Sequence, residues 1–586
     1  MAGTYDDEDY IPGTVNIFAS KYEDDAGPGG QPLKKNKNGV ILLPQPSDSP
    51  NDPLNWSLTR KMWHFALVSF ITGLTAATSN DAAAAQEYLN DLYGITYDAM
   101  NTGAGILFIF IGWSCIFFAP ASSLYGRRIT YLICLLCGCL GSVWFAKSNR
   151  TSDTLWSQMF VGMSESCAEA QVQQSLSDIF FQHQLGGALT IYILATSVGS
   201  FLGPLVANFI AQGMGFRWIG WWGAIICGAT MIVVFFTCEE TVFDRTKYIP
   251  VIDSSFHQTS SNENSQDLED SSEKNEKLHQ HTSPRLLTVE TTHRAHPEEE
   301  EDTTIDATTG GANANNLETG VVSAQDEKMH PYWKRIAIIT PSSYLEGFGF
   351  KQYIFRFVVY FKVFTIPAVW FSGLLWGLQD AYMTFFLTTQ DDYFSSDPWN
   401  YSANGVAIMN VATLIGAVVG CLMSGVFSDV HVLWLAKRNN SVFEPEMRLW
   451  LLFITLIISP MGLIMFGVGA ARQWPWQVIY VGLGFIGFGW GSIGDTAMSY
   501  LMDSYPEIVI QGMVGVSIIN NTLACIFTFV CSKWLEASGT QNTYIALAVI
   551  DFVSIATIVP MFIWGKTFRK KTKRLYIKLV ELSQGM

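Results

Sequence analysis

The chain has 586 residues, of which 49% are hydrophobic and 15% charged, and its formal net charge is −16. A soluble protein of this length would divide into several domains with polar residues throughout. Here the apolar residues form long runs instead, for example residues 62–78 and 187–210. Apolar runs of about 18 residues predict membrane-spanning helices. The composition therefore excludes a soluble enzyme and a nucleic-acid-binding protein.

The negative charge lies outside the apolar runs. Residues 251–330 contain 17 acidic and 5 basic residues, and residues 1–53 contain 9 acidic and 4 basic residues. The remainder of the chain is close to neutral, so its charge gives no reason to expect a nucleic-acid partner. The first nine residues are acidic and polar, and we expect no cleavable signal peptide before the first span.

Twelve apolar segments predict twelve spanning helices. The first six are residues 62–81, 101–121, 129–146, 155–176, 187–211 and 218–237. The second six are residues 363–389, 404–427, 449–469, 474–501, 512–532 and 541–565. The predicted domains are a tail (1–60), a six-helix half (61–237), a link (238–355), a second half (356–565) and a tail (566–586).

The link is hydrophilic. Its centre, residues 254–326, is rich in Ser, Thr, Asn and Glu and has too little apolar surface to offset the entropy of ordering. We expect this centre to be disordered and to serve regulatory partners through modification. Residues 332–352 are basic and aromatic, which predicts that they lie along the membrane surface.

One group of lysine and arginine residues falls on a single side of the predicted membrane. They are Arg60, Lys61, Arg127, Arg128, Lys437, Arg438, Arg448 and six residues between 566 and 574. Because basic loops favour the cytosol, both termini are predicted to be cytosolic. The glycosylation motifs at Asn149 and Asn400 then fall in outward loops, where they are candidate glycosylation sites.

Short motifs at the ends of the spans carry a resemblance to a known family. They are residues 52–57 (DPLNWS), 120–128, 178–181, 199–204 (GSFLGP), 239–241 (EET) and 444–449. Together they resemble the motifs of the fungal twelve-span drug:proton antiporters of the major facilitator superfamily. Within that group the chain is similar to plasma-membrane polyamine permeases. The resemblance implies an all-α membrane protein, two six-helix halves around a central site, and coupling to protons.

Several residues depart from the antiporter pattern. Ser123 and Leu124 stand where the family loop usually has Asp and Arg. Gln158 and Gln184 each replace a usual Arg, and the fifth span ends its motif with Ala207-Asn208 in place of two glycines. Because the loss of Arg at position 158 removes a cation from a span that the resemblance places at the cavity, drug efflux does not simply carry over.

Carboxylates stand inside the spans that the resemblance implies line the cavity. They are Asp81, Glu165, Glu169, Asp380 and Asp495. A carboxylate in hydrocarbon is costly, so such residues usually line a water-filled path or bind a ligand. Glu165 lies about 15 Å into its span and Glu169 one turn farther. Two acids so close repel, which favours a proton on one of them, and both are candidates for proton coupling and substrate binding. Asp551, on the twelfth span, is interpreted as structural.

Aromatic rings and amides could complete a cation site. Trp376 and Tyr382 flank Asp380, and Asn208 and Asn520 add polar groups. We predict that these four residues contact substrate, and the alternative is packing or a place in the interfacial aromatic belt. The sequence contains no phosphate-binding loop, no HExxH motif and no nucleophile elbow. We therefore expect no catalytic residues, no metal and no cofactor, and coupling to an ion gradient.

These features predict a proton-coupled importer of organic cations in the plasma membrane, with polyamines such as spermidine, spermine and putrescine as substrates. An extended polyamine presents several ammonium groups, which matches acids placed at several depths of one cavity. An inside-negative membrane potential also favours cation entry. Two alternatives stay open: a drug:proton efflux antiporter, favoured by the fifth-span motif, and a non-transporting receptor that recruits partners through the link.

Overall fold

The computed structural model describes residues 10–16, 34–35, 42, 44–248, 327–342, 345 and 347–584. The predicted disorder of residues 254–326 lies outside the described residues. The helices below belong to one unit formed by Met1–Arg245 and Ala324–Met586.

The first half contains eight helices. They are α1 (Leu58–Asn80), α2 (Gln86–Tyr93), α3 (Tyr97–Tyr125), α4 (Arg127–Ala146), α5 (Thr151–Cys167), α6 (Gln173–Ile179), α7 (Gln182–Met214) and α8 (Arg217–Thr237). A 3₁₀ turn, Asp81–Ala85, follows α1, and a π-helical segment, Ala168–Val172, joins α5 to α6. The fourth predicted span is thus one helical rod with a wider turn in its middle.

The second half follows the short helix α9 (Tyr332–Arg335) in the link. Its helices are α10 (Phe350–Phe361), α11 (Pro367–Phe394), α12 (Ala403–Leu422), α13 (Ser428–Arg438), α14 (Leu452–Ala471), α15 (Trp476–Ser504), α16 (Val509–Ala556) and α17 (Ile558–Gln584). A π-helical segment, Met423–Phe427, joins α12 to α13. Within α16, Gly539 has a φ of 72°, and two helices meet there.

Two helices lie at or near predicted boundaries. α11 starts at Pro367, close to the predicted start of the seventh span, and α10 before it is bent away by 83°. Proline has no N–H for the preceding turn, so a helix readily begins there. The predicted C-terminal tail from residue 566 is also helical, since α17 continues to Gln584.

Many helices carry apolar side chains on their outer surfaces. Ile232, Ile415 and Ile457 are each at least 59% exposed, and large patches of this kind are unusual on soluble monomers. By length and apolar composition, eight helical segments could cross a membrane, or nine if the bent pair α10–α11 is one span. Three of the twelve predicted spans are not counted separately, because α1 and α5 are not among these segments and the segment Pro506–Leu582 counts once although two helices meet within it at Gly539.

The two halves pack through α3 against α16 and through α7 against α12. The α3–α16 contact is close at Gly112, where an added Cβ would lie 2.8 Å from the carbonyl oxygen of Ser517. Within the second half, Gly487 of α15 lies directly on the Thr413 backbone of α12. Small residues of this kind let membrane helices approach each other closely.

The sequence motifs form ion pairs on one face, which we call the basic face because it carries Arg60, Arg127 and Arg448. Arg127 pairs with Asp178 at 3.3 Å. Arg60 pairs with Glu239, as does Arg335 of the link. The loops that the family resemblance singled out thus tie the ends of the first-half helices together.

Two acidic residues of these motifs bind free backbone N–H groups on the basic face. The Glu240 carboxylate accepts hydrogen bonds from the N–H groups of Arg127 and Arg128, at 3.0 and 3.2 Å, at the start of α4. Asp52 accepts from the N–H of Leu54 at 3.0 Å and pairs with Arg245. A carboxylate at a helix N-terminus accepts hydrogen bonds from N–H groups that lack an intrahelical partner, and its negative charge interacts favourably with the positive end of the helix dipole.

Candidate functional site

Three of the five predicted acids come together between the halves. Glu165 on α5 and Glu169 on the following π-helical segment belong to the first half, and Asp380 on α11 belongs to the second. Glu169 interacts electrostatically with both Glu165 and Asp380, and Glu165 also interacts with Asp380. The π-helical turn at Glu169 is a feature that recurs at functional sites.

Neutral side chains surround the three carboxylates. The indole Nε1 of Trp490 donates to Asp380 Oδ1 at 2.9 Å. Ser79 of α1 faces Glu165, and Ser517 of α16 faces Glu169. In the described part of the chain, no lysine or arginine has an appreciable electrostatic interaction with these three acids. The cluster therefore concentrates negative charge without a protein cation to balance it.

Several buried polar atoms at this cluster have no hydrogen-bond partner. They include Glu169 Oε2, Gln173 Oε1 and both polar atoms of Asn520, whose amide faces Asp380. An unsatisfied buried polar group costs about 1–3 kcal/mol, and folded proteins normally supply a partner or water. The arrangement therefore provides donors and acceptors for a polar ligand that enters between the halves.

Sequence reasoning missed two residues at this site, Ser517 and Tyr192, and placed a third, Trp490, beside Asp495. Trp490 is the direct partner of Asp380, whereas the predicted Trp376 contacts Trp490 in a tilted arrangement with ring centroids 4.7 Å apart. Ser517 was not predicted, and neither was Tyr192 of α7. The Tyr192 hydroxyl donates to the Ala168 carbonyl of the π-helical segment at 2.9 Å. Trp490 carried one signal, its place on a span expected to line the cavity, whereas uncharged residues on α7 and α16 carried none.

Asp495 lies apart from the cluster and bridges the two halves. Its Oδ2 atom accepts a hydrogen bond from Thr190 of the first half at 3.2 Å and from Ser424 of the second half at 3.1 Å. Its Oδ1 atom is buried and has no partner. Asp495 therefore connects three helical segments across the interface between the halves.

The remaining predicted contacts lie elsewhere. Asp81 begins the 3₁₀ turn after α1 and packs against α7 and α8. Asn208 of α7 donates to the Ala403 carbonyl at 3.1 Å, at the start of α12. Tyr382 interacts with Asp551 on α16. The structure does not bring these three residues to the carboxylate cluster, because they lie on other faces or other turns of their helices.

The other residues singled out by the sequence have structural surroundings. Asp551 is fully buried and accepts hydrogen bonds from Gln379 at 2.9 Å and Ser459 at 2.6 Å, which fits its interpretation as structural. Asn149 lies between α4 and α5, and Asn400 lies between α11 and α12. Both asparagines are exposed, so an attached glycan would meet no steric barrier from the body.

Two helical halves with an acidic cluster at their interface define a class of membrane protein, the secondary transporters built from paired helical repeats. The chain belongs to the Major Facilitator Superfamily, whose sequence model matches residues 65–530. The predicted family resemblance is thereby confirmed.

Two fungal relatives are similar over almost the whole chain. Protein HOL1 of Saccharomyces cerevisiae is 52% identical over 594 residues, which cover 99% of this chain and 99% of that protein. An uncharacterized MFS-type transporter of Schizosaccharomyces pombe is 46% identical and covers 97% of this chain and 94% of that protein.

A more distant relative is named as an antiporter, and one solved structure has a similar fold. The MFS antiporter QDR3 of Candida albicans is 22% identical, over 92% of this chain and 82% of that protein. The structure of the MFS proton:xylose symporter XylE, bound to 6-bromo-6-deoxy-D-glucose, superposes with a TM-score of 0.52 at 10% identity. The match covers 86% of this chain and 97% of that one. At this identity the likeness concerns the fold alone.

Proposed function

We propose that the chain is a proton-coupled importer of organic cations, with polyamines such as spermidine, spermine and putrescine as substrates. The observation that carries this proposal is the meeting of Glu165, Glu169 and Asp380 between the halves without a lysine or arginine partner among the groups that act on them. Buried charges of one sign are costly unless an opposite charge joins them. A ligand with several ammonium groups supplies that charge.

The surroundings of the acids suit an elongated cation. Trp490 and Trp376 contact each other beside Asp380, and aromatic ring faces attract ammonium groups. Asp81 and Asp495 both lie in the C-terminal part of their helices, and in the proposed twelve-span arrangement these two helices run in opposite directions, so the two acids lie toward opposite sides of the membrane. An elongated polyamine therefore meets carboxylates along its length, whereas a compact cation would need only one.

Proton coupling is assigned to the pair Glu165 and Glu169. The two carboxylates repel each other, and a proton on either one relieves that repulsion. Binding of a cation relieves the repulsion as well, so the proton and the substrate both reduce the repulsion between these two carboxylates. This shared dependence gives the cluster a physical means of linking substrate movement to the proton gradient.

The proposal includes a membrane arrangement. The chain crosses the plasma membrane twelve times, both termini and the basic face are cytosolic, and glycans are attached at Asn149 and Asn400 on the opposite side. The support is the placement of basic residues at one set of helix ends and the exposure of both asparagines. An epitope tag at either terminus should bind antibody only after cells are permeabilised, and binding to intact cells would contradict this arrangement.

Radiolabelled spermidine uptake tests the function. Cells that express the chain should accumulate spermidine faster than cells that lack it, with a saturable rate that falls when a protonophore collapses the proton gradient. Equal uptake in both cell types would refute import of this substrate. Uptake that is saturable but insensitive to the protonophore would refute proton coupling and leave cation import standing.

A drug:proton antiporter is the second candidate. The fifth-span motif favours it, and in the structure this motif is a packing element, since an added Cβ at Gly203 would lie 2.8 Å from Ala77 of α1. The relative named as an antiporter is distant, at 22% identity. Efflux of substrate from preloaded cells would favour the antiporter, and a non-transporting receptor would bind spermidine without flux in either direction.

Deletion of residues 254–326 should leave spermidine uptake per surface molecule within about twofold of the full-length value. The described contacts of the carboxylate cluster come from helices on either side of the link, including α1, α3, α5, α7, α11, α15 and α16. Uptake is normalised to surface protein because the link is proposed to serve regulatory partners that alter abundance. Loss of spermidine binding by the purified deletion protein would contradict this assignment.

A further inference from the structure

A short segment of the N-terminal tail is bound to the basic face of the second half. Residues 10–16 lie there, and their strand β1 (Val15–Asn16) pairs in antiparallel register with β2 (Val442–Phe443), which precedes α14. Residues 17–43 separate this segment from the part of the tail that docks on the first half. The intervening chain is long enough that connectivity does not force the contact.

An arginine on α17 holds the segment. Arg569 is 1% exposed and forms a two-pronged ion pair with Glu446, with hydrogen bonds of 3.0 and 2.6 Å. Its remaining terminal nitrogen donates to the Pro12 carbonyl and, at 2.9 Å, to the Thr14 hydroxyl. Every nitrogen of this buried guanidinium thus has a partner, and two of the acceptors belong to the tail.

The segment also fits closely against the end of α15. Gly13 has a φ of 75°, and an added Cβ would lie 2.9 Å from two backbone atoms of Ser504. The ring of Tyr10 lies beneath the Lys573 ammonium at 5.5 Å. Burial, reinforced by the charge of Glu507, raises the pKa of Tyr10 to about 12, so the phenol stays protonated in its site.

The bound segment adjoins the contact between the two halves. Gly13 packs on the backbone of Asp503, whose carboxylate pairs with Arg448 and interacts with Gln182 at the start of α7. Arg448 also pairs with Asp429 at 2.8 Å, and that carboxylate packs against α7 as well. The tail therefore lies directly behind the acids that face the first half.

The link covers the first half in a comparable way. The N–H groups of Thr340 and Ser342 donate to the carbonyls of Tyr125 and Leu124, each at 2.9 Å. Each half thus has its basic-face loop paired with a segment from outside the helical bundle. The first half uses the link, and the second half uses the distant N-terminal tail.

We propose that residues 10–16 are an intramolecular ligand for a peptide-binding surface on the second half, formed by β2, the Glu446–Arg569 pair and the end of α15. Docking supports Asp503 and thereby holds the two halves together at the basic face. Release of the segment weakens that contact and favours the state that opens on this side.

A cysteine cross-link tests docking without any substrate. Opposed residues in an antiparallel pair have Cα atoms about 4.5–5.5 Å apart, a separation that a disulfide can bridge. V15C/F443C should therefore form an intramolecular disulfide, which keeps two fragments together after cleavage at a protease site inserted within residues 254–326. Each single-cysteine variant is the control for the native cysteines, and N101C/S532C, whose native side chains are 3.4 Å apart, is the positive control. No cross-link in V15C/F443C beside a cross-link in the positive control would overturn the proposal.

Gly13→Val tests the effect of docking on the halves. Valine tolerates neither the positive φ nor the close approach to Ser504, so G13V should abolish the V15C/F443C cross-link. G13V alone should raise the KM for external spermidine by about two- to fivefold, because fewer molecules then present the site outward. Thr14→Ala, which removes one acceptor, should give a smaller change. This KM readout rests on the proposed function, whereas the cross-link does not. Loss of the cross-link with an unchanged KM in cells that import spermidine would overturn the coupling to the halves.

Discussion

Glu169→Gln should lower spermidine uptake by about 100-fold or more while the amount of protein at the cell surface stays unchanged. Glu169 interacts with both other acids of the cluster, and its Oε2 atom has no protein partner. Removal of one partner of a buried ion pair, here the proposed pair of Glu169 with a bound ammonium group, typically costs about 3–5 kcal/mol. We expect that loss to fall on substrate binding, because the glutamine has the same shape and preserves packing.

The measurement is the initial rate of radiolabelled uptake, normalised to surface-biotinylated protein. Glu169→Asp keeps the charge and should recover part of the rate, which a purely steric role would not explain. Glu87→Gln is the matched control, since it removes an exposed carboxylate of α2 and should leave uptake unchanged. Normal uptake kinetics in Glu169→Gln would remove this residue from the mechanism.

The cluster was accessible to sequence reasoning because a charge inside an apolar run is conspicuous. Glu165, Glu169 and Asp380 are charged residues within largely apolar segments. Because a charge inside a membrane span is costly, such a residue is a candidate for function. The family resemblance then placed their spans at the cavity. The basic-face motifs could be recognised in the sequence for a similar reason, because ion pairs at helix ends require charged residues at defined positions of the chain.

Contacts between helices distant in the sequence were not accessible. Nothing in the pattern around Trp490 shows that its indole reaches Asp380, since the two residues belong to different helices and the pairing depends on tertiary packing. Asn208 shows a second difficulty, because a polar residue in an apolar run can bond a neighbouring helix end as well as a ligand. The docked tail carries no periodic signal, since residues 10–16 make their contacts largely through backbone groups.

Two carboxylates inside helices of the second half, the half-buried Asp380 and the fully buried Asp551, allow a comparison. Asp380 joins the cluster and receives one hydrogen bond from Trp490, whereas Asp551 is enclosed by donors from Gln379 and Ser459. Both lie in spanning helices, and both can be changed to asparagine with little change in volume. If replacing any acid inside a spanning helix impaired uptake, both variants would show a changed KM for spermidine. If Asp380 binds the substrate, only the Asp380 variant would.

Asp380→Asn should raise the KM for spermidine by about ten- to 100-fold, because a charge-assisted contact contributes about 1.5–3 kcal/mol. The dependence of its uptake rate on external pH should resemble that of the unaltered protein, since the pair assigned to proton coupling remains. Asp551→Asn should leave the KM within about twofold and reduce only the amount of folded protein.

Glu165→Gln should instead flatten the pH dependence of uptake, because the two repelling carboxylates of the first half would no longer both be present. Uptake rates measured against external pH and spermidine concentration for the three variants decide the matter. A flattened pH profile in Asp380→Asn, with a change of affinity alone in Glu165→Gln, would show that the proton and the substrate use these carboxylates in the opposite assignment.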